Sequence, residues 1–171
     1  MAAAALILRV LLASILARAA LHKWRERGQF VEHLRAYQLL PDVMASPVAS
    51  VLAITETILA VALLNPGWNL PAAIAALLFG IYGAAIAINL ARGRTAIDCG
   101  CGGALSARAT ISWTLVARNA GLIVLALIVL VAPVADAQWL IVIPASAAAL
   151  LLYESVEQAI ANQQQVLAWK R

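Results

Sequence analysis

The sequence predicts an all-α fold, a polytopic transmembrane helix bundle with a four-helix core, five spans and a short interfacial helix after the first span. Composition is the first observation behind this. Of 171 residues, 64% are hydrophobic and 12% charged, where soluble domains carry roughly 45–50% and about 25%. The mean hydropathy is +0.92, so the side chains that would build a soluble surface are missing. The second is segment length, since five stretches approach the roughly 20 apolar residues a spanning helix needs. The third is the placement of the five tryptophans. Trp24, Trp68, Trp113, Trp139 and Trp169 all fall at or just beyond predicted helix ends, where an amphipathic ring prefers the headgroup layer.

The expected spans cover 2–21, 47–64, 69–91, 111–132 and 138–157, all within one domain over 1–171. In the first, "ILARAA" imitates a secretory signal. No basic residue precedes its apolar run, however, and Arg9 and Arg18 sit inside it, so it is expected to be a retained helix. Residues 22–46 place Phe30, Val31, Leu34, Tyr37 and Leu40 at helical spacing, the pattern of an amphipathic helix lying at the membrane surface. Pro47, Asn65-Pro66-Gly67, Pro71 and Pro133 are read as breakers between spans. Runs such as "AAIAALLFGIYGAAIAI" supply the small residues that let membrane helices approach closely.

With five spans, the 22–46 connection, the 92–110 connection and the C-terminal tail share one side. The net charge is +4, and the basic residues gather near helix ends rather than in a phosphate-tracking stripe. Membrane lipid is therefore an expected partner and nucleic acid is not.

Charges within a bilayer are expensive and mark either an internal pair or a site. Glu56 lies near the middle of the second span. Arg18, Asn89, Arg118 and Asn119 lie in the halves of their spans nearest the 92–110 connection. The sequence thus suggests a polar pocket beneath that connection, with Arg118 or Arg18 as the partner of Glu56. Arg9 reads as a snorkelling side chain, and His22 and His33 as interface residues.

Both cysteines of the chain stand in "DCGCGG", residues 98–103. A disulfide across one residue closes a minimal loop, so it contributes little as a staple, and its geometry is strained. Zinc ligands are usually spaced by two or more residues, and no second cysteine pair exists, so no metal is expected. Reversible redox chemistry fits better: Cys99 and Cys101 precede a helix N-terminus, which favours a nearby thiolate. A transporter or channel component, with the polar cluster lining a path, and a non-catalytic assembly factor remain as other readings.

Taken together, "AYQLLP" (36–41), Glu56, "RGR" (92–94), "DCGCGG" (98–103) and "ISWTLVARN" (111–119) resemble the MauE family of methylamine utilisation membrane proteins, collinearly over about residues 5–155. More distantly, the chain is similar to DoxX-type bundles and to quinone-linked disulfide oxidoreductases of the vitamin K epoxide reductase type. After the second cysteine, relatives often carry an aromatic residue where this chain has Gly102.

The resemblance implies a part in maturing methylamine dehydrogenase, whose small subunit carries many disulfides, together with a thioredoxin-like partner of the MauD kind. It makes Cys99 and Cys101 the expected catalytic pair. A membrane quinone is the expected acceptor, with Glu56, Arg118, Asn119 and Arg18 as its binding residues. Location in the cell inner membrane follows, but sidedness divides the signals. Lys23, Arg25, Arg27, Arg35, Arg92, Arg94, Arg108, Lys170 and Arg171 share the cysteine side, which the positive-inside rule puts in the cytoplasm. Disulfide chemistry and the implied substrate belong to the periplasm, and the periplasmic side is the expectation adopted.

Overall fold

The computed structural model describes residues 2–95, 97, 111–132 and 139–169. These residues form six helices and no strand: α1 (Ala2–Arg25), α2 (Arg27–Tyr37), α3 (Asp42–Ala62), α4 (Leu70–Ala91), α5 (Trp113–Val131) and α6 (Trp139–Trp169). Among the described residues, α1, α3, α4 and α5 are long and apolar enough to cross a membrane. The expected fifth span opens α6, which runs on beyond it to Trp169.

Local chemistry explains most boundaries. Pro41, extended at φ −58° and ψ 142°, leads into α3, and Asp42 places a carboxylate on its first turn, where the exposed N–H groups favour negative charge. Pro71 stands in the first turn of α4, where a missing N–H costs nothing. Gly93, at φ +74°, stops the chain just past α4 in a conformation that side chains resist. Pro47 is a correction: it lies inside α3 instead of marking its start. The carbonyl four residues back belongs to Val43, which is 84% exposed, so the hydrogen bond the ring removes leaves no buried orphan.

The main core draws Leu12 and Leu16 from α1, Leu59 and Leu63 from α3, Ala72, Ala75 and Phe79 from α4, and Leu122 and Val129 from α5. Helices α4 and α5 approach closely at Gly83, where an added Cβ would stand 3.3 Å from the Cβ of Asn119. Arg9 does not snorkel. It is 4% exposed and donates to the carbonyls of Asn65 (3.2 Å) and Trp68 (3.1 Å) and to Asn69 Oδ1, gripping the α3–α4 turn.

Helix α1 ends early. Its last turn lies beside Glu56 and Thr57, with Trp24 Nε1 donating to Thr57 Oγ1 at 3.2 Å. At 1.5 Å per residue, this leaves about 20 Å of α3 beyond it. The amphipathic α2 fills that space. Its apolar face packs on protein, with Phe30 and Val31 against Ala45 and Ala49, whereas the pattern suggested a helix resting on lipid. Arg27 donates to Ser50 Oγ of α3 at 2.8 Å. Arg94, just past α4, donates to the Tyr37 carbonyl at 3.4 Å, so the ends of α2 and α4 meet on one side of the bundle, as expected for the connections after the first and third spans.

Candidate functional site: a charged cavity in the bundle

The shortened α1, the roof formed by α2 and the inner faces of α3, α4 and α5 enclose a cavity of about 370 Å³. That is the size of a small-ligand site. Its walls are mostly apolar, and a few polar side chains converge on it. All four residues expected to bind a cofactor, Arg18, Glu56, Arg118 and Asn119, line it. The spacing of polar residues in separate spans therefore located one common chamber.

Their partners differ from expectation. Glu56 is fully buried, but neither Arg118 nor Arg18 is its salt-bridge partner. Lys23, itself 4% exposed, holds Glu56 Oε1 at 2.8 Å, and the Tyr82 hydroxyl donates to the same oxygen at 2.7 Å. Lys23 Nζ also stands 4.9 Å from the centre of the Phe30 ring and 5.5 Å from that of Tyr82, distances at which ring faces attract a cation. The ammonium is thus compensated on several sides, as a buried charge must be.

The arginines turn instead to α6. Arg18 pairs with Glu154, and Arg118 Nη1 with Glu157 Oε2 at 2.9 Å. Asn119 Nδ2 donates to the Leu115 carbonyl of its own helix at 2.8 Å. Asn89 is buried beside the chamber's end, donating to the Ala85 carbonyl and accepting from Arg94 at 3.3 Å. Among the described residues, Glu56 Oε2, Arg118 Nε and Asn119 Oδ1 have no hydrogen-bond partner. Native proteins rarely leave such groups unpaired.

Lys23, Tyr82 and the α6 carboxylates were not foreseen. Lys23 reads as a basic flank, because nothing in the sequence shows that α1 stops two-thirds of the way along α3. Tyr82 carried a usable signal, as the one polar side chain between residues 71 and 88. Tyr37, also on the chamber wall, is buried, and that burial pushes its phenol up to about 12 against the opposing pull of the Arg118 guanidinium.

Cys99 and Cys101 lie outside the described residues. The base of their loop does not. Ile111 N–H donates to the Ile97 carbonyl at 2.9 Å, and both isoleucines pack with Tyr37, Ile86 and Leu115. Tyr37 and Ile86 also line the chamber. The cysteine loop therefore leaves and rejoins the fold at the chamber wall. Among the described residues, no cluster of three or more metal-ligating side chains occurs.

Fold and chamber together define a multi-pass membrane helix bundle built around a charged, ligand-sized cavity. The chain belongs to the MauE family: the model of methylamine utilisation protein MauE matches residues 1–132. The methylamine utilisation protein MauE of Paracoccus denitrificans is 43% identical over 121 residues, which cover 70% of this chain and 64% of that protein. That of Paracoccus versutus is 46% identical over 121 residues, with the same coverage. That of Methylorubrum extorquens is 43% identical over 115 residues, 67% of this chain and 61% of the relative. The chain thus spans somewhat less than two thirds of the length of these relatives. No solved structure matches it.

Proposed function

We propose that the chain is a membrane thiol–disulfide relay that serves methylamine utilisation by supporting disulfide formation in methylamine dehydrogenase. Cys99 and Cys101 are its redox pair, and the chamber is its quinone site. The observation that carries this reading is the pinned loop base, because the Ile97–Ile111 closure roots the cysteine segment on the wall of the cavity. Cys99 is two residues along the chain from Ile97.

In this reading the Cys99–Cys101 disulfide accepts two electrons and two protons from a dithiol of a thioredoxin-like partner, passing through a mixed disulfide. A bound quinone supplies the oxidising equivalents that restore the disulfide. The chamber suits such a ring. Leu16, Phe79 and Leu122 offer apolar surface, while Glu56, Arg118 and Asn119 offer hydrogen-bonding groups. Lys23 and Tyr82 fix the Glu56 carboxylate so that it can take or return a proton. The periplasmic side of the inner membrane is the proposed location of the loop.

The test is to co-express Cys99→Ser or Cys101→Ser with the thioredoxin-like partner and run non-reducing gels. One variant should trap a reducible adduct, since resolution needs the second thiol. Labelling both thiols from each side of intact membranes reports their sidedness. If no adduct forms and both variants support full dehydrogenase maturation, the thiols are bystanders and a transport or scaffolding role replaces the relay.

A further inference from the structure

Among the described residues, two hydrogen-bond acceptors on side chains that line the chamber stand without a donor. Glu56, as the partner of an ammonium, accepts on both carboxylate oxygens, and Lys23 and Tyr82 occupy only Oε1. Oε2 has no donor. The amide of Asn119 spends its N–H on the Leu115 carbonyl, leaving Oδ1 as a second vacant acceptor. Arg118 Nε is a donor likewise without an acceptor among the described residues. All three residues line the same cavity, and a buried acceptor left without a donor costs free energy that a ligand hydroxyl can recover.

We propose that the chamber selects the reduced, hydroxyl-bearing form of its ring ligand, the hydroquinone, over the quinone, with Glu56 Oε2 and Asn119 Oδ1 accepting from its hydroxyls. This rests on the quinone-linked reading and adds to it the redox form that the site prefers. A quinone presents two carbonyls, both acceptors, and can satisfy only Arg118 Nε. A hydroquinone presents two hydroxyls, each of which donates while still accepting. Only the hydroquinone can therefore pair all three atoms.

Lys23 and Tyr82 act as positioning residues here. By occupying Oε1 they leave Oε2 as the one free oxygen of Glu56. The preference also bears on turnover: the reduced ring, held more tightly than the oxidised one, leaves more slowly when the two bind at similar rates.

The experiment uses the full chain in lipid nanodiscs under anaerobic conditions, with a short-chain ubiquinone analogue in oxidised and reduced form. Equilibrium dialysis gives both dissociation constants independently of activity. Hydroquinone should bind about a hundredfold more tightly, roughly tenfold for each of the two recovered buried hydrogen bonds. Glu56→Gln, which can turn an N–H toward a carbonyl, and Asn119→Leu, which removes the acceptor, should each shrink the ratio by about tenfold. Equal binding, or tighter quinone binding, by the unaltered chain overturns the selectivity and leaves the quinone reading intact. Failure of both forms to bind overturns that reading and this one with it. A ratio that both variants leave unchanged also overturns the assignment of these acceptors.

Discussion

Lys23, two residues before the end of α1, and Glu56, two-thirds of the way along α3, meet at 2.8 Å with both side chains at or below 4% exposure. A cation that reads as a membrane-surface flank is thus half of an interior ion pair. Removing one partner leaves the other charged and buried, whereas removing both does not.

Lys23→Met alone should therefore cost about 3–5 kcal/mol. The double variant Lys23→Met with Glu56→Gln should recover much of that loss. Reversible unfolding in mixed micelles checks the ordering. Equal destabilisation by the single and double variants would contradict it.

Arg9→Leu removes the donor shared by the Asn65 and Trp68 carbonyls and the Asn69 side chain. A loss of about 1–3 kcal/mol is expected, together with faster proteolysis at the α3–α4 turn. Thiol labelling of the cysteines should not change, since Arg9 acts at the turn opposite the meeting of α2 and α4. A change in labelling rate would mean that the clamp is coupled to the loop.

Gly83 faces Asn119 with room for a Cβ only at 3.3 Å. Gly83→Ala should be tolerated with a small shift. Gly83→Leu should force α4 from α5, cost about 1–3 kcal/mol and weaken ring-ligand binding by displacing Asn119. A leucine variant with unaltered melting and binding would show that the helix pair yields more readily than its packing implies.

Tyr37 gives a pH signature. Its phenol is raised from 10.0 to about 12 by burial, so the folded state resists its ionisation. The associated stability is fully present below the unfolded-state value of about 10 and is lost as pH rises through about 12. The difference in phenolate absorbance between the unaltered chain and Tyr37→Phe should titrate near 12. A component titrating near 10 would place the ring in water.

The membrane bundle was legible because hydropathy, proline and tryptophan placement all report on the same boundary between lipid and water. Glu56, Arg18, Arg118 and Asn119 were legible as chamber residues for a related reason: polar side chains at that depth have few places to go. Their pairing was not. Which cation reaches Glu56 depends on where α1 stops relative to α3, a packing offset that no local pattern encodes. Likewise Glu154 and Glu157 gave no sign that they would draw Arg18 and Arg118 toward α6, because residues toward the end of an apolar run read equally well as a solvated tail. Pro47 misled because proline was taken as a boundary, while α3 absorbs it in its exposed early turns.

The hydrogen bond joining Ile97 to Ile111 makes the stretch between them a graft site. Once a loop's ends are held, doubling its length costs only about 0.6 kcal/mol, so a longer stretch between Ile97 and Ile111 adds little entropic cost. Under the proposed relay, insertions that keep Cys99 and Cys101 close to Ile97 would alter the surface offered to a partner, while the chamber's helical walls keep their own residues.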